Sequence, residues 1–118
     1  MITNDGKSVI KEFFGGQLKE IADQIVLGSG TTAASLTDTA LATLISTLDV
    51  KSINADLAND RIVFRATIPA GVSLTINEIG LIRRGTTDRL VARSVLSTPN
   101  VTDADLPTDI EYSLRITV

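Results

Sequence analysis

Beyond residue 49 the chain alternates apolar and polar residues with a period of two, the rhythm that sends successive side chains to opposite faces of a strand. Ile53, Ala55 and Leu57 alternate with Asn54 and Asp56. After the short turn Ala58-Asn59-Asp60, the residues Ile62, Phe64, Ala66 and Ile68 share one face. Two alternating runs joined by an Asn/Asp turn predict a β-hairpin. Pro69-Ala70-Gly71 ends its second strand. Residues 76–83 and 90–96 predict a second hairpin around Gly85-Thr86-Thr87. Residues 97–108 are polar and contain proline, and predict a long exposed loop. Ile110, Tyr112, Leu114, Ile116 and Val118 then alternate with Glu111, Ser113, Arg115 and Thr117, predicting a strand that runs to residue 118.

The stretch before residue 49 has a different rhythm. Val9, Ile10, Phe13 and Phe14 fall on one face of a short helix, with Asn4 or Asp5 as its cap and Gly15-Gly16 as its stop. Residues 18–23 fit helix or strand equally. Gln24-Ile25-Val26-Leu27 reads as a strand entering the turn Gly28-Ser29-Gly30. A second helix is predicted over residues 35–48. Ser35-Leu36-Thr37-Asp38 fits a capping box, and Leu41, Leu44, Ile45 and Leu48 follow at i, i+3, i+4, i+7.

Short strands separated by turns, with one or two short N-terminal helices, predict a mainly β fold, a mostly antiparallel β-sandwich. The 118 residues suit one domain over 1–118, with a helical or irregular part at 1–48 and antiparallel strands over 49–118. Aromatic residues are only 3% of the chain, so the expected core is aliphatic, with Phe13, Phe14, Phe64 and Tyr112 as its large pieces. The N-terminal residues begin no apolar run of the kind a secretory signal needs, and no run approaches the roughly 20 residues of a spanning helix. No membrane association is expected.

Composition also narrows the chemistry. The formal net charge is -3, and the only adjacent basic pair is Arg83-Arg84, so the basic face that replaces phosphate counterions is missing and nucleic acid is not an expected partner. With neither histidine nor cysteine present, the commonest general base and the thiolate metal ligands are absent. The Gly28-Ser29-Gly30-Thr31-Thr32 cluster matches neither GxxxxGK[ST] nor GxGxxG and offers no lysine, so it reads as a tight turn and not as a phosphate cradle. Asp103, Asp105, Asp109 and Glu111 are spaced carboxylates that could meet calcium, but they lack the glycine turn and ligand spacing of an EF-hand. Serines lie beside lysines at Lys7-Ser8 and Lys51-Ser52, where sequence neighbours on a strand point apart. No catalytic residue, cofactor or metal site is expected, and the chain reads as a non-enzyme.

The polar residue that asks most of its surroundings is Glu78, in Ile76-Asn77-Glu78-Ile79-Gly80-Leu81. A carboxylate inside an apolar strand is costly unless paired. Arg93 lies on the partner strand of the same hairpin, and a Glu78–Arg93 cross-strand pair that fixes register is the expected answer. Gly80 should let a backbone or side chain approach closely.

Three segments together carry a resemblance. Leu27-Gly28-Ser29-Gly30-Thr31-Thr32 followed by Thr37-Asp38-Thr39-Ala40-Leu41, then Asn77-Glu78-Ile79-Gly80-Leu81, then Arg89-Leu90-Val91-Ala92-Arg93, resemble in order and approximate spacing a pattern of small structural proteins and fibre N-terminal domains from tailed bacteriophages. The resemblance spans residues 27–93. It implies that the glycine-threonine segment is a loop, that the Thr-Asp-Thr segment starts a helix and that the Glu-Ile-Gly-Leu segment is a core strand. Gly28, Gly30, Thr31, Thr32, Asp38, Leu41, Glu78, Ile79, Gly80, Leu81 and Arg93 are then its structural residues. It further implies a virion component at the tail tip, baseplate or fibre attachment point, assembled in the host cytoplasm, with other phage structural proteins as partners and a homo-oligomer in a symmetric assembly. Fibre proteins usually continue into a repetitive shaft, and this sequence stops at Val118, which favours an adaptor, plug or decoration role. A capsid decoration or head-fibre protein is the alternative. A carbohydrate-binding receptor module is a second alternative, for which a chain with one tyrosine and no tryptophan offers few stacking platforms.

Overall fold

A computed structural model describes residues 1–102 and 105–115. Helix α1 (Asn4–Phe14) is followed by strands β1 (Gln24–Gly28), β2 (Leu44–Asp49), β3 (Ser52–Asp56), β4 (Arg61–Ile68), β5 (Thr75–Arg83), β6 (Arg89–Val101) and β7 (Thr108–Arg115), with a 3-10 turn at Leu57–Asn59. The strands form two antiparallel sheets, ordered β2-β1-β5-β6 and β3-β4-β7. The fold is mainly β, as the alternation requires. No helix among the described residues is long and apolar enough to cross a membrane.

The two predicted hairpins are present. β3 pairs with β4, and Asp60 takes the left-handed conformation (φ 51°) that closes the connection. β5 pairs with β6. Side chains from both sheets meet in one apolar cluster, with Ile25, Leu27 and Leu81 on one side and Phe64, Ala66, Ile68, Ile110, Tyr112 and Leu114 on the other. Phe64 is the fully buried ring. Tyr112 is buried too, and its hydroxyl hydrogen-bonds the Ser94 hydroxyl at 2.9 Å across the sheets.

Several expectations need correction. Residues 35–48 are not helical: residues 29–43 form a long connection and β2 follows. The part before residue 49 therefore contributes two strands to the four-stranded sheet, one of them internal. Residues 97–101 belong to β6, pairing Asn100 with Ile76 and Val101 with Thr75. Pro99 is tolerated there because it falls in the irregular stretch between Val95, opposite Glu78, and Asn100, opposite Ile76, on an edge strand. Phe14 is not core but 68% exposed, whereas Phe13 packs half-buried against the cluster. The predicted continuation of the last strand through residues 116–118 lies outside the described residues, as does Asp103.

α1 starts one residue earlier than predicted, because Thr3 is its cap and accepts the Gly6 N–H at 3.0 Å. The Thr3 hydroxyl also donates to the Leu90 carbonyl. Residues 1–3 run antiparallel along β6. Thr3 N–H donates to Val91 O at 3.0 Å, Arg93 N–H donates to Met1 O at 2.9 Å, and Ile2 faces Ala92. This strap covers that stretch of the β6 edge and seats the first turn of α1 on the strand. The seat leaves no room at Gly6, where a Cβ would overlap the Val91 carbonyl. A Gly6→Ala variant gains up to about 1 kcal/mol of helix propensity but must lift α1 off β6. The expected net result is a loss of about 1–3 kcal/mol, read as a lowered urea midpoint. Gly15→Ala, where a Cβ meets nothing closer than 3.4 Å, should be near neutral.

Candidate functional site: an ion pair sealed beneath the 29–43 connection

The register of the four-stranded sheet decides which side chains share a face. Glu78 faces Gly28, and Gly80 faces both Val26 and Arg93. Because side chains alternate, Gly28, Val26, Glu78, Gly80 and Arg93 all lie on the side away from the inter-sheet cluster. Leu81 and Ile79 of the same strand point the other way, Leu81 fully buried and Ile79 half-buried against the cluster. The connection 29–43 folds back over that outer face.

Glu78 is fully buried there, and both of its oxygens are engaged. Oε2 accepts the backbone N–H groups of Gly30 at 2.7 Å and Thr43 at 2.9 Å. Oε1 accepts the Ala42 N–H at 2.9 Å and Arg93 Nε at 2.9 Å. Arg93 is 2% exposed and uses its other nitrogens on the connection as well: one donates to Asp38 at 3.0 Å, the other to the Thr32 carbonyl at 2.8 Å. Asp38 in turn accepts the Ser35 N–H at 2.8 Å. The expected Glu78–Arg93 pair is therefore present. Arg93 stands opposite Gly80, diagonal to Glu78, and the pair does more than fix register. It ties both ends and the middle of a connection that has no regular secondary structure of its own.

The glycines follow from the same geometry. A Cβ on Gly28 would stand 2.6 Å from Glu78 Cγ and from the Thr43 carbonyl oxygen; one on Gly30 would overlap Glu78 Oε2. At Gly80 a Cβ would press on Leu41 Cδ2 at 3.1 Å and on the Ala92 carbonyl at 3.0 Å. Leu41 is thus the apolar plug over Gly80, with Leu90 beside it. Of the eleven residues in the pattern, all but Thr31 have a place in this layer or in the core directly beneath it. Thr31 is exposed.

Burial pushes the Glu78 carboxyl up, but the three backbone N–H groups and the Arg93 guanidinium outweigh it and hold the group below its ordinary value. The Ser35 N–H lowers Asp38; burial opposes this and Arg93 adds to it. Burial alone would lower Arg93, yet its bonds to Glu78 and Asp38 raise it. The site is therefore a fully ionised, fully hydrogen-bonded cluster. The Glu78 carboxylate has no face open to solvent and positions backbone, while the Asp38 carboxylate is 24% exposed at the rim of the cluster.

Of the other acidic candidates among the described residues, Asp105 lies in the turn before β7 and Asp109 and Glu111 on β7. Asp109 accepts the Thr67 hydroxyl at 2.9 Å, and Glu111 pairs with Arg65 at 2.7 Å, both toward β4. No group of three or more His, Cys, Asp or Glu among the described residues is arranged to hold a metal ion. The reading of the sequence missed the backbone donors of Gly30, Ala42 and Thr43 and the role of Asp38 as second partner to Arg93. One signal was available: a buried carboxylate has about four acceptor positions, more than a single arginine fills. Comparisons with protein-family models, with curated proteins and with solved structures give no match.

Proposed function

We propose that this chain is a bacteriophage virion structural protein, associated with the tail at its tip, baseplate or fibre attachment point, and that it acts by protein–protein assembly without catalysis. The observation that carries the reading is the convergence of the glycine-threonine, Thr-Asp-Thr, Glu-Ile-Gly-Leu and Ala-Arg segments, distant in sequence, on one sealed cluster. The segments that carry the resemblance are thus the ones that hold a long surface connection in a single shape. A surface connection tied down at both ends and in the middle is suited to being recognised by another protein. Exposed Phe14 and Leu57, at 68% and 87%, line a mainly apolar groove with Ala55 and Ile62, a second feature suited to contact.

The test is localisation. Particles carrying a tagged copy of this chain, labelled with gold and imaged by electron microscopy, should show label at the tail. Label on the head would overturn the tail assignment in favour of a capsid decoration protein. Its absence from purified particles would overturn the virion reading altogether.

A further inference from the structure

The connection over residues 29–43 is held from beneath, by the sheet face it covers. No residue from 29 to 43 is buried, and of its two large aliphatic side chains Leu36 is exposed and Leu41 half-buried over Gly80. Its grip is almost wholly the work of two side chains. Gly30, Ala42 and Thr43 donate to Glu78, and Asp38 and the Thr32 carbonyl accept from Arg93. Among the described residues, two further bonds reach the rest of the chain. The Asn77 side-chain amide donates to the Ser29 carbonyl at 3.1 Å, and the Asn4 N–H to the Leu36 carbonyl at 2.8 Å. The ends of the connection lie side by side, with Gly28 opposite Leu44 and the Ser29 N–H donating to the Thr43 carbonyl at 2.9 Å. A surface loop closed at its base in this way can leave the sheet without unpairing a strand.

We infer that residues 29–43 form a detachable cover, which leaves the outer face of the four-stranded sheet as one unit while both sheets stay paired. Three effects favour opening. Water replaces the bonds that are broken, because the freed N–H and C=O groups lie on a surface segment. Glu78 and Arg93 stay on their own strands and regain hydration, which recovers the cost of having buried two charges. A segment without regular structure also regains its backbone freedom. Against these stands one apolar contact, Leu41 over Gly80. Unpairing the sheets would instead expose Phe64, Ile25 and Leu27, all fully buried. Opening is all-or-none because the grips are shared. Glu78 Oε2 alone holds Gly30 near the start and Thr43 at the end, and Arg93 links Thr32 and Asp38 to the same carboxylate. The two states are a closed cover with one shape and an open loop that bares the Glu78 carboxylate and the Arg93 guanidinium. This device goes beyond the assembly reading above and does not rest on it.

Native-state hydrogen exchange of the whole chain, followed by NMR over low urea concentrations, tests it. The amides of Gly30, Ala42 and Thr43 should share one opening equilibrium. They should exchange faster than amides of the β1–β5 ladder, and with a much shallower dependence on urea, because the opening exposes little surface. A variant that weakens the sheets and not the cover supplies the second measurement. Ile68→Val, in the core on β4, should accelerate the ladder amides about 2- to 10-fold and leave those three amides unchanged. If the three instead follow the ladder in urea slope and accelerate with it in Ile68→Val, the cover opens only in global unfolding and the inference is overturned. Three unrelated rates would overturn it as well, since each end would then fray alone. Neither result bears on where the chain sits in a particle, so the cover and the tail localisation fail separately.

Discussion

Glu78→Gln should cost about 3–5 kcal/mol of folding stability, the scale for breaking one partner out of a buried ion pair. The substitution keeps the shape but turns an NH2 group toward backbone N–H donors that need an acceptor, and leaves Asp38 as the one carboxylate bonded to Arg93. Equilibrium urea unfolding followed by circular dichroism would measure it; a loss below about 1 kcal/mol would show that the connection does not depend on Glu78. Removing both charges should not restore stability here, unlike pairs that hydrophobic residues replace without loss. In a Glu78→Leu/Arg93→Met double variant, the N–H groups of Gly30, Ala42 and Thr43 would still be buried without acceptors. The pH dependence follows from the sign of the shift. The folded Glu78 carboxyl lies below its unfolded value near 4.5, so its contribution is complete above that value. It is lost as pH falls through the lower folded value. Wild-type stability should be flat from neutrality to about pH 5 and then fall, with a shallower fall in Glu78→Gln.

Phe64→Ala should be comparably severe, about 3–5 kcal/mol. Phe64 is fully buried, and the aromatic content of 3% leaves the core few large side chains that could relax into the space. Against a typical stability of about 5–15 kcal/mol, such a loss leaves the variant near its unfolding midpoint under mild denaturant. Phe14→Ser should change stability by less than about 0.5 kcal/mol, because that ring is mostly in solvent. Thermal melts of the two variants beside wild type would separate the cases, and a Phe14→Ser loss as large as that of Phe64→Ala would contradict the assignment of Phe64 as the central ring.

The strands after residue 49 were legible because alternation is dictated by the pleat: Ile62-to-Ile68 and Ile76-to-Arg83 could bury one face only as strands. The Glu78–Arg93 pair was legible for a related reason, since a carboxylate in an apolar strand has to find a cation. Residues 35–48 were not legible, and the reason is physical. One of the two contacts of a capping box forms, Ser35 N–H to Asp38, but the Ser35 hydroxyl accepts the Thr37 N–H at 3.3 Å while the Asp38 N–H goes to the Ser35 carbonyl, closing a turn and not a helix. The N–H groups that a helix would have satisfied internally at Ala42 and Thr43 are taken by Glu78, whose position is set by a strand more than thirty residues away. The stripe of Leu41, Leu44, Ile45 and Leu48 is likewise divided among three environments: Leu41 over Gly80, Leu48 in the core, Leu44 and Ile45 in solvent. Periodicity cannot see partners that distant. Residues 97–101 escaped because Pro99 reads as a break, and only the sheet order places it on an edge.

The strap of residues 1–3 has a consequence for how the chain is made. Met1 N donates to the Arg93 carbonyl at 2.9 Å across 92 positions of sequence, and β1 completes its pairing on one side only with β5. Both segments reach their full set of native neighbours only when residues 78–93 are in place, although β1 can pair with β2 before that. Such non-local closure slows folding and lengthens the interval in which unpaired strands are open to misassociation.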